Sequence, residues 1–217
     1  MNILQTESDK QKYFYKRNLP HYYRPCACYF ITFRLAGSLP IKKVSKLKEE
    51  YEFSKQIIRR NSKNKKELEQ KLSDSWKRYF EKIDKLLHEY KKSPKYLEKR
   101  EIASLVSSAL KFYDKKEYDL LCYCIMPNHV HVVFTLKENA RVLSKIMKSI
   151  KGYSARESNK ILGRRGTFWQ DESYDHIVRD EKELERIVYY VLNNPVKAGL
   201  IDDCEKWEWN YLGKINL

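Results

Sequence analysis

Long apolar runs, a secretory leader and a paired set of cysteines are all lacking in this sequence. No run of about 18 consecutive apolar residues occurs, so we expect no membrane-spanning helix. Residues 1–12 are polar and lack the apolar centre of a secretory signal. The five cysteines are an odd number, so we expect free thiols in a reducing cytoplasm instead of a disulfide framework.

Acidic residues are also scarce relative to basic ones. The chain has 29 Asp and Glu against 44 Lys and Arg, a formal net charge of +15. Such a surplus favours a polyanionic partner, most often nucleic acid. Hydrophobic residues make up 42% of the 217 residues, enough for the core of one domain or of one domain with an insertion.

The pattern of apolar residues predicts the order of the secondary structure. Pro20 and Pro25 indicate an irregular lead-in over residues 1–25. Alternation and β-branched content predict strands, and helical spacing predicts helices. The strands are expected at residues 28–35, 117–126, 129–136, 168–169 and 173–179, and the helices at about 97–112, 141–160 and 180–193. This order matches an α+β fold of one domain over residues 1–217, a ferredoxin-like split βαβ antiparallel sheet with helices on one face.

Residues 42–100 differ in character, because they hold 20 Lys and Arg against 10 Asp and Glu and so carry +10 of the +15. Apolar positions at helical spacing from Leu68 to Tyr90, with a weaker stripe from Leu47 to Ile58, predict a helical hairpin. We therefore expect a helical insertion over residues 42–96. Such a basic hairpin is more often an ordinary solvated face, but its charge suits contact with phosphates, and its role stays open.

His129 and His131 stand two residues apart in a predicted strand, so both imidazoles point to the same face. Two parallel imidazoles can chelate one divalent metal, and two protein ligands leave positions open for substrate. Two surface histidines on a half-exposed strand would give the same pattern. The spacing alone therefore does not decide, and a metal would need at least one further ligand.

Tyr190 and Asn194 lie four residues apart in the last predicted helix and share one face. A tyrosine hydroxyl can act as a nucleophile, and an amide oxygen can be a hard ligand for a metal. The chain has 17 tyrosines, most of which we expect to be packing residues, and Asn before Pro is a common helix stop. These two residues alone therefore carry little weight.

Together these segments resemble a known family. Residues 124–134, CIMPNHVHVVF, are similar to the His–apolar–His (HUH) motif of the single-tyrosine transposases. Residues 190–200, YVLNNPVKAGL, are similar to their nucleophile helix. GTFWQ at residues 166–170 and YDHIVRD at residues 174–180 resemble the branch of REP-associated tyrosine transposases. The resemblance covers the first strand and about residues 97–201, whereas the long basic insertion departs from it.

The resemblance implies a catalytic site. His129, His131 and Asn194 would hold Mg²⁺ or Mn²⁺, and Tyr190 would be the nucleophile. Tyr189 has the same spacing to Asn193, but the family motif places its tyrosine four residues before the Asn of Asn-Pro, which selects Tyr190. The implied activity is metal-dependent nicking and strand transfer on single-stranded hairpin DNA through a 5′-phosphotyrosine. The alternatives are a non-catalytic or domesticated hairpin-binding protein on the same fold, and a small zinc hydrolase that uses the two histidines.

Several cationic residues are candidates for DNA contact. Three lysines share a helical face, two arginines occupy a probable turn, and one arginine lies in a family motif: Lys145, Lys148, Lys151, Arg164, Arg165 and Arg179. Basic residues near aromatic ones suit single-stranded DNA, although a solvated helix face gives the same pattern. The family includes monomers with the tyrosine acting in cis and homodimers with it exchanged in trans, and the sequence leaves both open. We expect a cytoplasmic, nucleoid-associated protein without a membrane partner.

Two further groups carry weaker expectations. His176 matches a family position, but a histidine with a structural hydrogen bond is the more ordinary interpretation. Cys26 and Cys28, and likewise Cys122 and Cys124, have the spacing of residues on one strand face. Cysteines one residue apart on buried strands are more typical of core packing than of a zinc site.

Overall fold

The computed structural model describes residues 14–16, 20–22 and 24–214. Its Cα positions group into two compact units, one formed by Met1–Leu35 with Lys95–Leu217 and the other by Ala36–Pro94. The expectation of a single domain over residues 1–217 stays a prediction. None of the helices among the described residues is long and apolar enough to cross a membrane.

The larger unit is built on an antiparallel sheet of five strands, and a separate sheet has two strands. The strand bounds are β1 Phe14–Lys16, β2 Pro20–Tyr22, β3 Cys28–Arg34, β4 Tyr118–Ile125, β5 His129–Leu136, β6 Tyr174–Ile177 and β7 Asn210–Leu212. The five-stranded sheet has the order β6-β3-β5-β4-β7, and the two-stranded sheet pairs β1 with β2. The α+β, ferredoxin-like class is confirmed, with the central strand β5 paired along its whole length to β3 and β4.

Helices lie on both faces of this sheet, and not on one face alone as the sequence predicted. The helices of the larger unit are α3 Arg100–Phe112, α4 Leu143–Ile161, α5 Glu181–Leu192 and the short α6 Asn194–Lys197. Helices α3 and α4 join the core with the alternate residues of β5, namely Val130, Val132, Phe134 and Leu136. Helix α5 instead brings Tyr190 against the ring of His131, which points to the opposite face of that strand. The sheet thus separates the hydrophobic core from the face that carries the histidines.

The smaller unit contains the expected helical hairpin. Helix α1 runs over Ile41–Asn61 and helix α2 over Lys65–Glu89. The Asn64 side chain accepts a hydrogen bond from the Glu67 backbone N–H, so it caps the start of α2. Between the two helices, the rings of Tyr51 and Tyr79 stack with their centroids 4.7 Å apart.

Three local predictions differ from the structure. The lead-in contains the β1–β2 pair, while its residues 1–13, 17–19 and 23 lie outside the described part of the chain. Phe168 and Trp169 do not form a strand; Trp169 makes one isolated bridge with Leu35, and both aromatic side chains are buried in the core. Strand β7 was not expected, because its three residues hold too little alternation to stand out.

Candidate active site

His129 and His131 meet at the centre of the sheet. Both side chains are fully buried, and the Nε2 atoms of the two rings are 3.1 Å apart. The alternation of the strand sends Val130, between them, into the core on the other face. The two imidazoles therefore lie on one face of the strand, as the sequence predicted, and their Nε2 atoms point towards each other.

The outer nitrogen of each ring has its own hydrogen-bond partner. His129 Nδ1 lies 2.6 Å from Asn128 Oδ1, and His131 Nδ1 lies 2.7 Å from Thr32 Oγ1. A carboxamide oxygen only accepts, so His129 donates through Nδ1 and keeps a lone pair on Nε2. The Thr32 hydroxyl can donate or accept, so His131 can take either tautomer.

This hydroxyl explains how two imidazole nitrogens can lie so close. When Thr32 donates to His131 Nδ1, the proton on His131 Nε2 can be donated to His129 Nε2 across the 3.1 Å gap. When Thr32 accepts instead, both Nε2 atoms present lone pairs to the same point. The second arrangement is the one that suits a cation.

The backbone positions Thr32 and Asn128 beside the two histidines. Neither residue was predicted from the sequence to belong to the site. Thr32 stands directly opposite His131 in the β3–β5 register. Asn128 lies in the turn before β5, where its backbone carbonyl accepts a hydrogen bond from the Leu35 N–H. The Pro-Asn-His sequence was a signal for Asn128, whereas the role of Thr32 depends on a strand pairing that the sequence does not display.

Tyr190 projects from α5 towards the histidines. Its ring centroid is 5.5 Å from that of His131 and 6.1 Å from that of Phe30, both in edge-to-face geometry. The neighbouring Tyr189 is 71% exposed, so it faces away from the site. The helix therefore brings Tyr190, not its neighbour, beside the histidine pair of the same chain.

Asn194 and Lys197 lie in the short helix α6, directly after the helix that carries Tyr190. Asn194 is fully buried at the start of α6, where its backbone carbonyl accepts a hydrogen bond from the Ala198 N–H. Lys197, which was not expected as a site residue, places its ammonium 5.0 Å from the centroid of the Tyr190 ring. A positive charge thus lies next to the phenol.

A buried carboxylate fixes the start of the tyrosine helix. Glu183 is 2% exposed and accepts hydrogen bonds from the backbone N–H and the guanidinium of Arg179. His176, on β6, has its Nε2 atom 3.3 Å from Glu183 Oε1, so this histidine has a structural partner on α5. Burial alone would raise the pKa of the Glu183 carboxyl, but the hydrogen bonds from Arg179 and the charge of His176 hold that pKa at about 2.

Asp180 caps the start of α5 in a modified capping box. Its side chain accepts from the Glu183 N–H at 2.8 Å, as a capping box requires. The Glu183 side chain bonds to the backbone N–H of Arg179 at 2.9 Å, one residue earlier than the simple motif. The cap and the ion pair together tie α5 to the end of β6.

Glu183→Gln is expected to destabilise the protein in a pH-dependent way. The folded pKa of about 2 lies below the ordinary 4.5, so the carboxylate's contribution is fully present above about pH 4.5 and is lost as the pH falls towards 2. We expect the variant to lose about 2 kcal/mol of unfolding free energy at pH 7. Urea denaturation between pH 7 and pH 3 measures this, with Glu181→Gln, an exposed carboxylate of the same helix turn, as the control. A stability difference that is constant over that range would contradict the assignment.

The sequence profile of the family described as "Transposase IS200 like" matches residues 85–194. This chain belongs to that family. The matched range includes His129, His131, Tyr190 and Asn194, but it leaves out α1 and most of α2. The helical hairpin is thus largely an addition to the part that defines the family.

Individual relatives point to one branch of the IS200-like transposases. The chain is 26% identical over 102 residues to a Haemophilus influenzae protein named for the REP-associated tyrosine transposases, covering 43% of this chain and 58% of that protein. It is 24% identical over 95 residues to the REP-associated tyrosine transposase of Escherichia coli, covering 44% and 54%. The matches therefore span little more than half the length of these relatives.

A solved structure shares the fold. The structure of a REP-associated tyrosine transposase bound to a REP hairpin matches with a TM-score of 0.52 at 18% identity, over 90% of this chain and 80% of that one. At this identity the likeness establishes the fold alone.

The cationic residues expected at the DNA divide into two groups. Lys145 and Lys148 on α4, and Arg165 in the following turn, are exposed. The other three interact within the transposase chain: Lys151 donates to the carbonyls of Gln170 and Asp171, Arg164 lies over the ring of Tyr96, and Arg179 pairs with Glu183. Lys151 therefore holds the segment after Trp169 in place.

The cysteines remain thiols. All five are free, and Cys122 and Cys124 are buried in β4. Among the described residues, no cysteine belongs to a cluster of three or more potential metal ligands of the His, Cys, Asp and Glu types. The structure thus offers no support for a cysteine zinc site there.

Proposed function

We propose that the chain is a metal-dependent DNA nickase and strand transferase that acts on single-stranded hairpin DNA through a 5′-phosphotyrosine intermediate. The observation that carries the proposal is that one chain places the Tyr190 ring 5.5 Å from the His131 ring, beside two converging imidazole nitrogens. Membership of the IS200-like transposases supports it, as does the REP hairpin bound to the solved relative.

The donor set fits a divalent cation. The two Nε2 atoms lie 3.1 Å apart and point together, while hydrogen bonds to Asn128 and Thr32 orient the rings. We propose His129, His131 and Asn194 as the ligands of Mg²⁺ or Mn²⁺, and imidazole ligands favour Mn²⁺ of the two. When bound, the ion would polarise the scissile phosphate.

The tyrosine chemistry balances without a nucleotide cofactor. The Tyr190 oxygen forms a bond to phosphorus while the bond from phosphorus to the 3′-oxygen breaks; the phenol loses its proton and the 3′-oxygen gains one. The reverse attack by a 3′-hydroxyl reseals the strand and returns the phenol. Lys197, 5.0 Å from the ring, is placed to stabilise negative charge on the phenolic oxygen during both steps.

The exposed cations are the proposed contacts for DNA. Lys145, Lys148 and Arg165 point away from the protein and would meet phosphates, whereas Lys151, Arg164 and Arg179 would do so only by giving up contacts within the chain. Because the tyrosine and the histidines of one chain lie together, we propose that the tyrosine acts in cis. A DNA-acting enzyme of this kind would work at the nucleoid in the cytoplasm.

A labelled hairpin oligonucleotide with a single-stranded 5′ extension tests the proposal directly. Incubated with the protein and Mn²⁺, DNA labelled at its 3′ end should become covalently attached, because a 5′-phosphotyrosine retains the downstream fragment. DNA labelled at its 5′ end should yield a free fragment with a 3′-hydroxyl. Tight binding without any adduct would support the non-catalytic alternative, and an adduct on the 5′-labelled fragment would reject the proposed polarity.

Thr32→Val is expected to weaken Mn²⁺ binding by roughly 10- to 100-fold. Valine matches threonine in shape but cannot accept the His131 Nδ1–H that the metal-bound tautomer presents, whereas Thr32→Ser keeps that acceptor. Titration with Mn²⁺, read by the electron paramagnetic resonance of the free ion, gives the affinity without any need for activity. Equal affinities of the valine and serine variants would show that the hydroxyl does not control the histidine.

A further inference from the structure

The tip of the helical hairpin concentrates positive charge. Five basic residues and no acidic residue occur within residues 59–66, and all five are exposed: Arg59, Arg60, Lys63, Lys65 and Lys66. Only Lys65 has a carboxylate partner, Glu69 at 4.0 Å, among the described residues. Four cations at this tip therefore have no ion pair in the part of the chain that the structure describes.

Three lysines of α2 beyond the tip are neutralised. Lys71 pairs with Glu67 at 2.7 Å, Lys82 with Glu50 at 3.2 Å and Lys85 with Glu89 at 3.7 Å. The tip thus differs from this part of α2 in the pairing of its charge. Lys42, Lys43, Lys46 and Lys48, at the start of α1, form a second basic segment without an ion pair among the described residues, but the tip brings together the cations of two helix ends.

Folding alone does not favour this arrangement. Lys65 and Lys66 are the first two residues of α2, where the positive end of the helix dipole disfavours cations. Arg59 and Arg60, in the last turn of α1, are well placed for the dipole of their own helix, but they add to the repulsion across the turn. A polyanion bound at the tip would relieve that repulsion.

The residue types around the basic tip indicate what kind of polyanion it binds. Residues 54–75 contain no aromatic side chain, so the tip lacks the platforms on which unpaired bases stack. Contact through phosphates alone needs only cations and reads no sequence. We propose that the tip, residues 59–66, binds the phosphate backbone of duplex DNA independently of sequence. This goes beyond the proposed nicking reaction and uses a segment that the family profile does not cover.

Salt-dependent binding to a plain duplex tests the proposal. The probe is a blunt duplex of 30 base pairs with no hairpin, titrated with the full chain by fluorescence anisotropy between 50 and 300 mM KCl. For the triple variant R60Q/K63Q/K66Q we expect roughly tenfold or greater loss of affinity at 100 mM KCl, and a fall in the salt slope of about 2 to 3. The matched control K71Q/K82Q/K85Q removes the same net charge from ion-paired positions and should lose less than about threefold.

The outcomes of this experiment test DNA binding by the tip separately from the nicking reaction. Equal losses for the tip and control variants would show that only net charge matters, and unchanged binding of the tip variant would overturn the proposal. Binding of phosphatidylserine vesicles in place of the duplex would reject DNA as the partner. Adduct formation on the short hairpin oligonucleotide should stay at the wild-type level in both variants, so failure of this inference is distinguishable from failure of the proposed nicking function.

Discussion

Replacing Tyr190 with Phe is expected to abolish the covalent protein–DNA adduct, with a loss of about 10³-fold or more. The substitution removes only the hydroxyl, and the ring can keep its edge-to-face contacts with His131 and Phe30. The fold and the affinity for hairpin DNA should therefore stay close to those of the wild type. Gel separation of adduct from free DNA measures the chemistry, and anisotropy measures binding.

Tyr189→Phe is the matched control, because it makes the same chemical change one residue away on a side chain that is 71% exposed. It should leave adduct formation unchanged. If Tyr190→Phe still forms the adduct and Tyr189→Phe does not, the helix must turn about its axis in the DNA complex. If neither affects the adduct, another residue is the nucleophile.

The same variants separate cis from trans action. A mixture of the Tyr190→Phe chain with a chain that lacks His131 has no single molecule with a complete site. If the tyrosine acts in cis, as its position beside His131 of the same chain supports, the mixture should remain inactive. Recovery of adduct in the mixture would require exchange of the tyrosine helix between two copies.

Local periodicity predicted the parts of the site that depend on one element at a time. The two-residue spacing of His129 and His131 sufficed to place both rings on one strand face. The four-residue spacing of Tyr190 and Asn194 predicted one shared helix face, but the helix that carries Tyr190 ends at Leu192 and Asn194 begins the separate helix α6. The choice between the adjacent tyrosines came from the family motif, and the structure places Tyr190 at the histidines.

Contacts between elements could not be predicted in this way. Thr32 reaches His131 across a pairing that joins residues 99 positions apart, and nothing in the local pattern of β3 marks that hydroxyl. Lys151 was expected on a basic DNA-facing surface, but its ammonium bonds to the carbonyls of Gln170 and Asp171. Helical spacing determines which side chains share a face. Which residues that face contacts depends on how distant segments of the same chain pack against it.

Replacing His131 with Ala is expected to lower Mn²⁺ affinity by at least about 100-fold and to reduce adduct formation at micromolar Mn²⁺ to background. The substitution removes one of two buried nitrogens that converge at 3.1 Å, and it leaves the Thr32 hydroxyl without its partner. The loss should exceed that of Thr32→Val, because a ligand is removed instead of misoriented. Titration of free Mn²⁺ and the adduct assay, run on the same preparations, compare the two effects.

His176→Gln is the control, since it alters another largely buried histidine whose Nε2 faces Glu183. It should reduce stability but preserve the affinity of the folded protein for Mn²⁺. Imidazole added to the His131→Ala protein should partly restore both metal binding and adduct formation, because the cavity lies where a free ring can supply the missing nitrogen. If His131→Ala binds Mn²⁺ like the wild type yet forms no adduct, His131 acts on the tyrosine or the DNA instead of on a metal, and the ion must bind elsewhere.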